Sequence, residues 1–390
     1  MQEELAYAVI TPYTIRKSRT GAVLARFSQV SSTLVAAQMF APDREFAYRA
    51  AESIQRGVHE EDERLREAIR EYVRTNFAPD PQGRRQRLMM LVYRGKHAVA
   101  DIARITGHIR ISDNSGESIR DAYGDLFWNP DGSVRYFEPS VLIADSPENA
   151  VRDLKMWAEF AKSQPALLEG VCTYQNPEKA HQALVLIKPD SWRRNSPRPG
   201  AIVDMFSRTG LRIIGCRLMR LSVAQALEFY GPVKNGLRKK KAPEIASEAR
   251  KILEEEFKIR LADTIEAVLA EHVGVPYADE EFQKIIQFMT GRRPDACPHD
   301  QWQEEGDVPI FALVYEGEDA VRKIRKVLGP TDPTKAPYGT VRAEFGNDVM
   351  VNTAHASDSP ENAQREIDIL KLRENNFAQI IEQELERCQK

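Results

Sequence analysis

The sequence predicts an α+β protein made of two tandem copies of one βαββαβ unit, the ferredoxin-like plan of an antiparallel sheet with helices. Two observations carry this. The hexapeptide Asp-Ser-Pro-Glu-Asn-Ala occurs at Asp145–Ala150 and again at Asp358–Ala363, 213 residues on. Around it, short apolar runs alternate with helical spacing in the same order in both halves. Three further matches keep that order. Gly21–Phe27 parallels Gly200–Phe206, Val92–Gly95 parallels Val314–Gly317, and Ser118–Arg120 parallels Thr340–Arg342. Their offsets drift from 179 to 222 and then back to 213. The drift predicts 43 extra residues within the second copy, and nine extra in the first copy around Trp128–Gly132.

In the first copy, strands are expected at Leu5–Ile10, Thr33–Phe40 and Leu88–Tyr93, with helices opening at Thr20, Lys96 and Pro147. In the second, Ala183–Ile187 is a continuous apolar run of strand length. Gly200–Ser207 has helical spacing, and Leu211–Met219 and Ile310–Tyr315 read as strands. Val321, Ile324 and Leu328 mark a helix, and Val349–Val351 a short fourth strand. Ser359-Pro360 then opens a helix, with serine as N-cap and proline in the first turn. The hexapeptide is thus a good helix start in both copies, and capping alone explains its repetition. The excess residues include Pro243–His272, which read as one or two amphipathic helices. The expected domains are 1–170 and 178–390, with a helical insertion at about 231–280 in the second.

Composition narrows the function. A net charge of −3 with 29% charged residues gives no electrostatic case for nucleic acid or an anionic membrane. The basic run Arg238–Lys241 reads as a solvated helix surface. Four scattered cysteines make no zinc-like pair, and Cys297-Pro-His299 lacks a second pair of ligands. No apolar run is long enough to span a bilayer, and the stretch from Met1-Gln-Glu-Glu is acidic and lacks a signal h-region, so no secretory leader is expected. The expected setting is cytoplasmic.

The copies differ where chemistry would sit. His355 follows Asn352 by three residues, whereas the first copy has Leu142 at the histidine position. Ile187-Lys188-Pro189-Asp190 becomes Ile10-Thr11-Pro12-Tyr13, and Arg325 becomes Ala103. Imidazole titrates near neutrality, so an unprotonated ring nitrogen is available as a nucleophile at pH 7.

Lys188-Pro189-Asp190, then Asn352-x-x-His355-x-Ser357-Asp358-Ser359, then Glu366, resembles the nucleoside diphosphate kinase family. Both halves resemble it in layout. The resemblance implies transfer of a γ-phosphoryl group from a nucleoside triphosphate to a nucleoside diphosphate, by way of a phosphohistidine on His355. It implies that Lys188, Tyr230, Arg325, Thr331, Arg342 and Asn352 surround the phosphates. Such transfer spreads negative charge over the moving oxygens, so cations and neutral donors suit it. Glu366 would orient His355, and Ser357 would sit beside it. Phe282 is the best match to the family's base-stacking phenylalanine. No P-loop is present, so the phosphates are not held in the Walker fashion; Mg²⁺ would ride on the nucleotide phosphates without a dedicated protein cage. The family's enzymes are homo-oligomers, so a homo-oligomer or an internal pseudo-dimer is expected. The insertion would lie at the pocket rim, as a lid or an assembly surface. The first copy, without His355's counterpart, is expected to be structural or regulatory. The alternative for the whole chain is a nucleotide-binding regulator or scaffold with vestigial activity.

Overall fold

The computed structural model describes residues 2–54, 60–109 and 116–389. The chain forms two compact units, one of residues 1–218 with 311–390 and the other of residues 219–310.

The first unit holds both copies. Its opening part runs β1 (Glu4–Ile10), α1 (Pro12–Arg16), α2 (Thr20–Phe27), β2 (Thr33–Phe40), α3 (Arg44–Glu52), α4 (Glu60–Asn76), β3 (Leu88–Gly95) and α5 (Ala98–Thr106). It continues through α6 (Ile119–Tyr123), β4 (Asp125–Trp128), β5 (Val134–Glu138), β6 (Val141–Ile143) and α7 (Pro147–Ala161). The second copy supplies β7 (Ala180–Ile187), α8 (Arg198–Ser207) and β8 (Arg212–Met219). After the helical unit come β9 (Ile310–Glu318), α12 (Ala320–Leu328), α13 (Val341–Phe345), β10 (Ala354–Ala356), α14 (Pro360–Ile369) and α15 (Phe377–Gln389).

The duplication is explicit in the sheets. One has the order β2-β3-β1-β6 and the other β8-β9-β7-β10, with each strand in its counterpart's place. The paired strands β1–β3, β1–β6, β7–β9 and β7–β10 are antiparallel. The central strands bury nearly every residue, which is why they read as unbroken apolar runs. The nine-residue excess of the first copy falls between α6 and β6 (positions 124–140, against 346–353 between α13 and β10), where the β4–β5 hairpin stands. The 43-residue excess falls between β8 and β9 (positions 220–309, against 41–87 between β2 and β3).

Both hexapeptides cap helices. Ser146 Oγ accepts from Asn149 N at 3.2 Å, and Ser359 Oγ from Asn362 N at 3.1 Å. Asp145 and Asp358 each accept the side-chain amide of the same asparagine, at 2.6 and 2.5 Å. The other shared motif has a packing role. A Cβ on Gly21 would lie 2.1 Å from Asp204 N, and one on Gly200 would lie 1.9 Å from Ala25 N. Helices α2 and α8 therefore cross backbone to backbone, each through its own copy of the repeated glycine. The copies also interleave at the C-terminus. In α15, Phe377 meets Phe40 of β2 edge-on at 5.3 Å, and Glu384 pairs with Arg94 of β3 at 2.5 Å.

Three expectations are corrected. Val349–Val351 is not a strand: Asp348 Oδ1 accepts the amides of Met350 and Val351, both at 2.7 Å, and closes the backbone into a local turn. The fourth strand is Ala354–Ala356. The helix expected from Lys96 begins at Ala98.

The third correction concerns the helical unit. It holds α9 (Val223–Phe257), α10 (Ile265–Leu269), a π-helical turn at Ala270–Gly274 and α11 (Val275–Thr290). Pro243 does not open its helix. The start is Ser222, whose side chain caps Gln225 N at 3.1 Å while Gln225 Oε1 accepts Ser222 N at 3.2 Å. Pro232 and Pro243 both lie inside α9. Gly274 abuts Ala242, where a Cβ would sit 2.3 Å from the Ala242 carbonyl oxygen. The basic run is a helix surface: Arg238 pairs with Asp279 at 2.5 Å and Lys241 with Glu244 at 3.0 Å.

Candidate active site

Strand β10 is three residues long and sits at the sheet edge beside β7, with His355 opposite Leu186. Lys188 directly follows β7, and its amide donates to the Thr353 carbonyl at 2.8 Å. Residues opposed across an antiparallel pair share a face, and so do residues two apart. His355 and Leu186 therefore share a face, which Lys188, two residues beyond Leu186 and still extended, and Ser357, two beyond His355, continue. Thr353 turns the chain into β10 with φ of 71°, a left-handed conformation rare for a β-branched residue.

Three segments are tied together by Asn352, which is almost fully buried. Its amide donates to the Thr331 carbonyl at 3.2 Å and the Val349 carbonyl at 2.7 Å. Its Oδ1 accepts Lys188 Nζ at 2.7 Å, and the Met350 carbonyl accepts the same ammonium at 3.3 Å.

His355 is held from α14. Its Nε2 is 3.0 Å from Glu366 Oε1, and Glu366 Oε2 accepts Ser357 Oγ at 2.5 Å. Ser357 Oγ in turn accepts Leu184 N from β7 at 3.3 Å. Glu366 and Ser357 are buried, while the His355 side chain keeps 22% of its surface exposed. A carboxylate facing Nε2 fixes the proton there in the neutral ring. The lone pair then resides on Nδ1.

The cations fall into two groups. Lys188 is half-buried, and burial followed by repulsion from Arg342 pulls its ammonium down to about 8, against the pull of Asp190 and Asp348. Arg342 is buried and donates to the Gly329 carbonyl at 3.0 Å and the Ala354 carbonyl at 2.9 Å. It clamps β10 to the end of α12. Arg325, in the last turn of α12, and Thr331 just beyond it are both exposed. Tyr230 and Phe282 belong to the helical unit and are buried there. Tyr230 lies 4.9 Å from the Phe229 ring, and Lys234 sits 5.6 Å over Phe282. Sequence reasoning passed over Asp348 and assigned Asn352 only to phosphates. The Asn-Asp pair at 347–348 was the available turn signal.

A nucleoside diphosphate kinase family model matches residues 234–375. A nucleoside diphosphate kinase from Staphylothermus marinus is 31% identical over 48% of this chain and 91% of its own length. One from Bdellovibrio bacteriovorus is 31% identical over 48% of this chain and 89% of its own. The chain belongs to the nucleoside diphosphate kinase family. A solved Aquifex aeolicus nucleoside diphosphate kinase is 27% identical, covering 49% of this chain and 94% of its own, with a TM-score of 0.31.

The corresponding place in the first copy of this family member has been rebuilt. Leu142 sits opposite Val9, as His355 sits opposite Leu186. Asp153 occupies the position of Glu366 and accepts Tyr7 OH at 2.8 Å. Thr11 takes the place of Lys188, and its hydroxyl donates to Glu138 at 3.0 Å. Glu138 also accepts Tyr72 OH at 2.8 Å and Ser140 N at 3.2 Å. Burial pushes this carboxyl up. Arg120 repeats the Arg342 clamp, donating to the Gly107 carbonyl at 2.9 Å and the Val141 carbonyl at 3.1 Å. The shared arginine thus has a structural function in both copies. No helix among the described residues is long and apolar enough to cross a membrane.

Proposed function

We propose that this family member is a working nucleoside diphosphate kinase, with a catalytic domain at 178–390 and a non-catalytic one at 1–170. The observation that carries the reading is the hydrogen-bonded set Ser357–Glu366–His355, on the same sheet face as Lys188. The Nδ1 lone pair attacks the γ-phosphorus of a nucleoside triphosphate. The P–N bond forms as the bond to the bridging β,γ-oxygen breaks, and the diphosphate leaves with that electron pair. Glu366 holds the Nε2 proton and balances the positive charge that develops on the ring. In the second half, a terminal β-phosphate oxygen of another nucleoside diphosphate attacks phosphorus, and the P–N electrons return to Nδ1. Lys188 and Arg325 neutralise phosphate oxygens, and Asn352 holds the Lys188 ammonium in place. Thr331 lies at the same end of α12 and is assigned a neutral phosphate contact.

Both oxygens of Glu366 are engaged by protein groups. The residues around His355 suit Mg²⁺ carried on the nucleotide phosphates, where it would offset their charge.

The experiment is phosphate exchange between ATP and a second nucleoside diphosphate. The wild type is expected to turn over, and His355→Ala to lose all exchange. Undiminished exchange in His355→Ala contradicts the reading. The rival, a nucleotide-binding scaffold, is favoured by the large helical unit; it requires binding without turnover in the wild type.

A further inference from the structure

The first copy keeps a cavity of about 470 Å³ where the second copy has its candidate site. Leu142, Arg120, Ala103 and Asp153, the counterparts of His355, Arg342, Arg325 and Glu366, all line it. The volume is in the range of small-molecule sites. Its character differs from that of a nucleotide cleft. Leu65, Val73, Phe77, Met156 and Trp157 join Leu142 in a mostly apolar wall.

The charges on that wall nearly cancel, with one left over. Arg66 pairs with Asp145 at 3.2 Å, and Arg152 with Asp153 at 2.8 Å. Arg120 has no carboxylate partner among the described residues. It is buried, with 7% of its surface exposed, and the acceptors it meets there are two neutral carbonyls. Its Nε–H has no acceptor among the described residues. Burial alone pulls its guanidinium down to about 10. A buried cation without a counter-charge is unfavourable, and a bound anion would relieve that cost.

The phosphate end has changed in the same direction. Two of the cations proposed to face phosphates in the second copy are absent here, as Thr11 and Ala103. The Thr11 hydroxyl is bound to the buried carboxyl of Glu138, which disfavours a further polyanion. One unmatched cation in an apolar chamber calls for one negative charge on an apolar body.

We propose that the first copy is a binding site for a small monoanionic amphiphile, a carboxylate with an aliphatic or aromatic body, seated on Arg120. This rests on the cavity and Arg120 and is independent of phosphate exchange by the second copy.

The test is calorimetric titration of the full chain with decanoate, with decanol and ATP as comparison probes. Saturable binding of one decanoate to the first copy is expected, with decanol at least about tenfold weaker for lack of the charge. Ala103→Trp, at a half-buried wall position, is expected to block decanoate while leaving exchange intact. Arg120→Met is expected to weaken decanoate by about tenfold or more; because it also removes two backbone bonds, Ala103→Trp supplies the fold-neutral arm. Absence of saturable binding overturns the proposal. So does equal affinity for decanol, decanoate binding that survives Ala103→Trp, or ATP occupying the first-copy site in place of decanoate.

Discussion

At the scale of the residue, the account turns on how one imidazole is presented. Glu366 faces Nε2 and is itself fixed by Ser357, so the ring's tautomer and orientation are set before substrate arrives. Glu366→Gln keeps the shape but loses the charge. It is expected to lower kcat by about 100-fold through misorientation, while nucleotide affinity changes little. An equal loss in kcat and affinity would place Glu366 in binding instead. Lys188 supplies a pH signature. Its folded value of about 8 lies below the ordinary 10.5, so the free enzyme loses this positive charge as pH rises through 8. The kcat/KM for exchange is expected to fall across that step, and the step to vanish in Lys188→Arg. The stability contribution has the opposite slope. Between about 8 and 10.5 the unfolded chain holds this proton and the folded chain does not, so folding gains as pH climbs through that window. Asn352 shows what sequence alone hid: a residue type suited to phosphate contact is occupied in holding the lysine. Pairwise contacts of this kind leave no trace in spacing.

At the scale of the element, the caps and strands show which signals were legible. Both hexapeptides form the caps that serine, proline and asparagine encode, with Ser359 and Ser146 each accepting an amide three residues on. Ser359→Ala is expected to destabilise the protein by about 1 kcal/mol, and Ser146→Ala similarly. Urea midpoints check this; no shift in either variant would make the repeat's capping role incidental. The buried central strands were legible because burial on both faces writes an unbroken apolar run. The fourth strand was not, because it is three residues long and carries a histidine between two alanines. The apolar trio before it, Val349–Val351, looked more like a strand, but Asp348 takes up its amides. In the helical unit, the amphipathic stretch was legible only from Pro243 on, yet α9 begins at the Ser222 capping box and passes through both prolines. The Ser-x-x-Gln pattern at Ser222 was the better guide.

At the scale of the whole molecule, duplication gave one chain two sheets of the same strand order but different chemistry. The order of the repeats and their drifting offsets locate both excess segments without coordinates, since insertions leave arithmetic behind. The packing of one copy on the other was not legible, because Gly21 and Gly200 look like ordinary helix glycines until α2 and α8 are seen to cross there. Gly21→Leu is expected to force those backbones apart and to lower Tm by several degrees at least. An unchanged Tm would show that the crossing is looser than the geometry states. The candidate site was legible as a set of residue types, with His355, Glu366, Ser357 and Lys188 brought together at β10 and the end of β7. The measurement that bears most directly on the central claim is covalent labelling by γ-labelled ATP. The account predicts alkali-stable, acid-labile label on the protein, chased off by any nucleoside diphosphate and lost in His355→Ala. Label that persists in His355→Ala, or a wild-type protein that never takes it up, would contradict it.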